Sequence, residues 1–362
     1  MKNTIKLFEP HFDKKEEKSI LKTLRSGYWA SGAGLGQVKL FEEKFNEYIG
    51  SKYCIAVNSG TAALHLALSL YDIKNKEVIL PSLSFVSTAH AILLNGGIPK
   101  FADLDANTLC MDPNSVENLI TDKTKIILPV HFAGMSSDLK KLSYLSKKYN
   151  LKIVEDAAHA AGTVYNNKKI GTHSSAVCFS FHPVKNLAMP TGGAITLNNF
   201  GQKIVHLLKS RRWCGITNRR NVFYDVKEIG WNYYMNELSA SVGIQQLKKL
   251  DSMNAKRKKI AKKYFKEINL NQKMPYDENC SYHIYWICVN NRKNFMKKMF
   301  DAKIETGIHY KPIIKMSLYK EKLKSRFPIT SSIMNNIVSI PIHPKLSENE
   351  IDYIINSVNK FQ

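Results

Sequence analysis

Several absences narrow the reading of this chain before any motif is considered. Across its 362 residues no apolar run approaches the roughly 18 uninterrupted residues of a membrane span. The first residues, Met1 to Pro10, carry no apolar signal segment, so the expected compartment is the cytoplasm. The six cysteines (54, 110, 178, 214, 280 and 288) form no Cys-x-x-Cys pair and no Cys/His cluster. They read as small core side chains in a reducing compartment, with Cys214 between Trp213 and Gly215 the one without an assignment, and no metal site is expected. Acidic residues are few, 30 against 53 basic ones, which leaves a net charge of +23. Arginine is scarce too. Only eight of the basic residues are Arg, the lysines are spread along the chain, and no zinc-finger spacing, RNP-like motif or basic heptad arm accompanies them. A nucleic-acid partner is therefore not expected. A positive field of this size still attracts an anionic, phosphate-bearing substrate.

What is present is an alternation of strands and helices. Amphipathic helical patterns over 11–26 and 37–49 flank a small-residue loop, Ser26 to Gly36, that holds the aromatic pair Tyr28-Trp29. Such a loop suits a ligand rim, or equally a connection with a packed Trp. Strands are expected at Tyr53–Val57, Glu77–Leu80, Ile98–Asp103, Ile126–Val130 and Leu151–Glu155, with helices at Ala62–Tyr71, Val86–Asn95 and about 137–149. This rhythm predicts an α/β fold with a mainly parallel sheet covered on both faces. Ligands in such sheets bind beyond the carboxyl ends of the strands. Further on, the pattern predicts a helix over Lys203–Arg212, a loop over 213–229 and a long helix from Asn236 to Phe265. It also predicts strands near 283–289 and 303–308, and a closing helix from Ser347 to Lys360. We place a large domain at 1–250 and a smaller C-terminal domain at 251–362.

One stretch stands out chemically. Residues 177–196 run from an apolar strand into a polar loop containing Lys185, then through Gly192-Gly193 into a second apolar strand. Lysine is normally solvated. Near a buried site its pKa falls and the neutral amine can attack a carbonyl. Upstream, Ser59-Gly60-Thr61 joins a strand to a helix, and a helix N-terminus with hydroxyls can hold an anion, although an N-cap serine alone is common punctuation. Phe85, after the second strand, can stack on a planar ring or pack in the core. Asp156, at the end of a later strand, can hold a protonated ring nitrogen or cap the next turn. His159 can serve as a donor or as a satisfied core residue. Ser180 can face the same side as a bound phosphate. An anion turn, an aromatic stacker, an Asp after a strand and a Lys some thirty residues later together meet the needs of pyridoxal phosphate.

On these residues the chain resembles the DegT/DnrJ/EryC1/StrS family of pyridoxal-phosphate sugar aminotransferases. The likeness runs through Ser26–Gly32, Phe41-Glu42, Asn58–Thr61, Pro81–Ala89, Val154–Gly162, Phe179–Ala194, Gly230–Leu247, His309–Pro312 and Ser339–Pro341. It implies the aspartate-aminotransferase (type I) fold, a large domain with a mainly parallel seven-stranded sheet plus a smaller C-terminal α+β domain. It implies that Lys185 makes the covalent link to pyridoxal phosphate (PLP, or PMP in its amino form) and moves the proton. Asp156 would pair with the ring nitrogen, Phe85 would stack on the ring, and His159 would stand near the ring hydroxyl. Ser59, Gly60, Thr61 and Ser180 would surround the phosphate, with Asn232 reaching the phosphate held by a neighbouring subunit. Trp29, Ala30, Ser31, Gly32, Ser59, Tyr310, Lys311, Pro312 and Ile313 would line the sugar-nucleotide site. The implied reaction moves an amino group from L-glutamate to C3 or C4 of a nucleoside-diphosphate keto-sugar, in a homodimer. A sugar dehydratase and a non-catalytic regulatory protein of the same fold are the alternatives. The chain departs from the family pattern at Tyr234, where Arg is frequent, at Pro190-Thr191, where an acidic residue is frequent, and at Ile314, where His is common.

Overall fold

The protein was described from a computed structural model covering residues 4–220, 222–319 and 327–362. Helix α1 (Lys14–Arg25) begins where Asp13 accepts from the Lys15 N–H and Glu16 returns the bond to the cap, and α2 (Gln37–Ile49) follows. Next come β1 (Tyr53–Val57), α3 (Gly60–Leu68), β2 (Glu77–Pro81), α4 (Ser87–Leu94), β3 (Ile98–Ala102), α5 (Pro113–Glu117), β4 (Thr124–Ile127), α6 (Leu139–Lys148) and β5 (Lys152–Asp156). A two-rung hairpin, β6 (Val164–Tyr165) and β7 (Lys168–Lys169), precedes β8 (Ala176–Ser180), β9 (Gly193–Leu197) and α7 (Gln202–Arg212). The chain ends with β10 (Ile216–Arg220), β11 (Phe223–Val226), α8 (Glu237–Glu267), β12 (Tyr285–Cys288), α9 (Arg292–Asp301), α10 (Pro328–Ile333), β13 (Ile337–Ile340) and α11 (Glu348–Phe361). Among the described residues no helix is long and apolar enough to cross a membrane.

Seven strands form one sheet in the order β1-β9-β8-β5-β4-β2-β3. The β8–β5, β5–β4, β4–β2 and β2–β3 pairs are parallel, whereas β9 is antiparallel to both β1 and β8. Six strands therefore point one way, and the turns after β1, β2, β4, β5 and β8 gather at one edge with the start of β9. Period-two side chains sort the faces. Ile55, Val57, Ala176 and Cys178 pack with α3 and α4, while Cys54, Ala56, Val177 and Phe179 pack with α2 and α8. A third cluster joins the end of α8 to β12, β13, α9 and α11. Helix α8 runs without a break through residues 250 and 251.

Two expectations differ from what is observed. Residues 303–308 form no strand. Lys303 sits at φ 61°, and the segment makes only single bridges, Ile304 to Ile5 and Gly307 to Ser339, so no ladder can extend. The partner of β12 is β13 instead. Conversely, the loop expected over 213–229 contains the β10–β11 hairpin. Every residue of β11 is exposed, so no buried face writes an alternation into its sequence. Five cysteines are buried and Cys214 is exposed.

The turn into α3 is pressed against the strand ends. A side-chain carbon on Gly193 would lie 2.5 Å from the Ser59 carbonyl, and one on Gly60 would lie 2.7 Å from Cβ of Ser180. Gly193→Ala is expected to lower unfolding free energy by about 1–3 kcal/mol, since backbone rather than a flexible side chain must yield. Urea unfolding of the variant against wild type measures this.

Candidate active site

The gathered turns enclose a cleft of about 430 Å³, lined among others by Ser59, Gly60, Thr61, Phe85, Asp156, His159, Ser180, Lys185 and Tyr310. At one end, Ser59 caps α3 by accepting from the Ala62 N–H at 3.1 Å. The first-turn N–H groups of Gly60 and Thr61 have no acceptor within the helix, and the helix dipole favours an anion there. Ser180 sits directly beside them.

At the other end Asp156 is buried at the tip of β5. Its carboxylate accepts from Thr88 Oγ1 at 2.8 Å and from the Ala158 N–H at 3.1 Å. Burial raises its pKa, and these two bonds and the nearby Lys185 charge oppose the rise. Between the ends lies Phe85, 55% exposed, with its ring centroid 5.8 Å from that of Tyr310.

Lys185 follows the β8 strand in a tight turn, its N–H donated to the His182 carbonyl at 2.8 Å. Phe181 and Met189 close the loop, through Phe181 N–H to Gly192 O at 2.9 Å and Met189 N–H to Phe181 O at 2.8 Å. Asn186 then anchors it, donating to Asn254 Oδ1 at 2.9 Å and to the Ser281 carbonyl at 2.7 Å. The Lys185 amine lies 3.3 Å from His283 Nε2. Burial pushes its pKa down to about 7, with Asp156 pulling the other way. A substantial fraction is then neutral near pH 7 and able to act as nucleophile or base.

His159 is buried. Its Nδ1 accepts from the Ala133 N–H at 3.2 Å, which leaves the proton on Nε2 to be donated to Tyr310 Oη at 3.0 Å. Burial, then the Lys185 and His309 charges, hold its pKa well below the usual value, so it is a neutral donor.

The other expected substrate residues lie elsewhere in the single chain. Trp29 is 51% exposed, its indole N–H donated to the Leu24 carbonyl at 2.9 Å, and Ala30 pairs with Asn236. Ser31 lies in the same loop, and Gly32 packs on the Trp213 indole. Asn232 is exposed and pairs with Trp213. Lys311 is exposed, Pro312 precedes a short 3₁₀ turn, and Ile313 is wholly buried in the apolar cluster with its N–H donated to the Ser82 carbonyl. Ile313 thus faces the core rather than the cleft. Ile314 is also core, and Tyr234 is half-buried outside the cleft. Thr191 lines the cleft and donates to the Asn58 carbonyl at 2.5 Å.

Sequence reasoning missed Phe8, Thr88, His283 and His309, all at or beside the site. Thr88 lies in Pro81–Ala89 and His309 in His309–Pro312, stretches that carry the family resemblance. Phe8 and His283 are far from Lys185 in the sequence and carry no local spacing signal.

The helix-covered sheet with Lys185, Asp156 and the α3 N-terminus in one cleft is that of the aspartate-aminotransferase (type I) fold. Comparison with known proteins agrees, and the chain belongs to the DegT/DnrJ/EryC1/StrS aminotransferase family, whose model matches residues 10–359. It is 36% identical over 361 residues to dTDP-3-amino-3,6-dideoxy-alpha-D-galactopyranose transaminase of Aneurinibacillus thermoaerophilus, covering 97% of this chain and 96% of that one. PseC of Helicobacter pylori, an aminotransferase involved in the biosynthesis of pseudoaminic acid, superposes with a TM-score of 0.91 at 30% identity, covering 99% of both chains. Spr1654 of Streptococcus pneumoniae in its PLP form gives 0.92 at 27% identity, covering 99% of this chain and 98% of that one.

Replacing Asp156 with Asn removes the attraction that holds a proton on Lys185. The Lys185 pKa of the cofactor-free variant is then expected to fall below about 7, read by pH-dependent acylation of that lysine and mass spectrometry.

Proposed function

We propose that this chain is a PLP-dependent aminotransferase that moves an amino group from L-glutamate to a nucleotide-linked keto-sugar, at C3 or C4. The observation that carries this reading is one cleft holding a depressed lysine amine, a buried carboxylate and a helix N-terminus at opposite ends. The residues fit the cofactor. Gly60, Thr61 and Ser180 suit the phosphate, Phe85 one ring face, Asp156 the ring nitrogen, and Lys185 the covalent attachment. When bound, PLP supplies an electron sink for charge developing on a substrate carbon.

The chain's own groups then do the rest. Thr88 and the Ala158 N–H hold the Asp156 carboxylate toward the ring position. His159 donates to Tyr310, which leaves the Tyr310 hydroxyl as a fixed donor beside it. The Lys185 amine would take the proton from the glutamate alpha-carbon in the first half and deliver a proton to the sugar carbonyl carbon in the second, with the cofactor carrying the amino group in between. In the first half the amino group leaves glutamate, and in the second it arrives at the sugar carbonyl carbon. The relatives that act on or toward amino sugars support the substrate class, and the net charge of +23 favours an anionic nucleotide.

A homodimer belongs to the same reading. Asn232 and Trp29–Gly32 stand outside the cleft of their own chain, which supports their serving the site of a second copy. The β10–β11 hairpin exposes Phe223 and Tyr224, 77% and 60%, and Ile229 just beyond it is 83% exposed, apolar side chains that a second copy would cover. Residues 251–362 are taken as a smaller domain packed on the first.

Three outcomes are expected. Lys185→Ala abolishes the visible absorbance that PLP gives in the wild type and lowers turnover by about 10²–10⁴-fold or more, whereas an unchanged spectrum sinks the proposal. With glutamate and a panel of keto-sugar nucleotides, 2-oxoglutarate forms one for one with amino-sugar. Sugar consumption without 2-oxoglutarate would point to a dehydratase instead. Phe223→Asp with Ile229→Asp is expected to shift the protein to monomer by light scattering.

A further inference from the structure

His283 precedes β12, 98 residues beyond Lys185, and its ring is buried beside the lysine amine. Its neighbours fix it on several sides. Phe8 stacks on it at 5.5 Å and 22°, and the His159 ring lies 4.5 Å away. Its backbone N–H is donated to the Ala133 carbonyl at 2.9 Å. Nε2 is 3.3 Å from Lys185 Nζ, within hydrogen-bond reach. Two basic nitrogens at that separation in a dry cleft cannot both be charged at modest cost.

We propose that His283 is the positioning residue of Lys185: its unprotonated Nε2 accepts a hydrogen bond from Nζ, and the pair carries one proton rather than two. This rests on the reading of Lys185 as the attachment lysine, and it assigns a second residue to that amine's orientation. An amine that donates one hydrogen to His283 has its lone pair directed away from it, toward the cleft. An ammonium makes the same bond in charge-assisted form, so His283 stabilises the protonated lysine and keeps its pKa from falling further.

The surrounding charges agree. Asp156 on β5 attracts the lysine proton. Facing His283 are Lys185 and His159, with His309 beyond and Arg257 of α8 behind, and burial and these groups hold His283 well below its usual pKa. Tyr310 faces the same space from the 309–312 segment, and burial raises its pKa, so it adds no charge. His182, on the lysine loop itself, is also lowered by burial and by Lys185.

The test uses the full-length protein stripped of cofactor, with Lys185 acylation measured against pH by mass spectrometry. Half-maximal reactivity is expected near pH 7 in wild type. His283→Phe, which has no acceptor, is expected to lower that midpoint by about 1–2 pH units. His283→Gln, which keeps an acceptor oxygen, is expected to restore much of the loss. A midpoint that stays put or rises in His283→Phe overturns the proposal. Should that variant not fold, His283→Leu takes its place. Nitrogen-15 NMR of the wild type decides independently, because a proton found on His283 Nε2 at pH 8 also overturns it. Loss of PLP absorbance in Lys185→Ala tests the attachment reading on its own, so the two ideas fail by different results.

Discussion

Asn186 holds the active site together. Its side-chain amide donates to Asn254 Oδ1 in α8 and to the Ser281 carbonyl before β12. Ser281 Oγ in turn donates to the His159 carbonyl and receives a bond from Thr163, while Asn254 donates to the Ala161 carbonyl. The lysine loop, the β5 loop, the long helix and the C-terminal segment are thus joined through buried polar contacts. These contacts are buried, and losing one would strand its partner without water. Lys185 is the residue next to this hub, and its distance to both Asp156 and His283 depends on it.

The hub places a lysine where its charge is disfavoured. Burial is the leading cause of the depressed pKa, and the carboxylate of Asp156 limits the fall. The same dryness keeps His159 neutral, so a donor rather than a cation faces Tyr310. One physical condition, exclusion of water at the edge of the sheet, therefore shifts the lysine amine, the carboxylate and the imidazole together.

Much of the site was legible because its parts sit at strand ends. Ser59 to Thr61, Phe85, Asp156 and Lys185 each follow a strand that an apolar run marks, and a parallel sheet brings such turns to one edge. Thr88 was within the marked stretch but needed the Asp156 geometry to acquire meaning. The hairpin at 216–226 was not legible, because an exposed ladder carries no burial pattern. The strand expected at 303–308 failed for the opposite reason: its composition is strand-like, but its two bridges go to different partners.

The sequence by itself determined the α/β class, the order of the strands' turns and the residue types of the chemistry, since these follow from local periodicity and from motifs a few residues long. Only the tertiary structure decided that β9 runs against its neighbours, that Ile313 turns into the core, and that His283 and Phe8 close on Lys185. Those depend on tertiary contacts, 98 positions apart for Lys185 and His283 and more for Phe8 and Ile313, and no local pattern records which distant side chain will fill the space beside a given nitrogen.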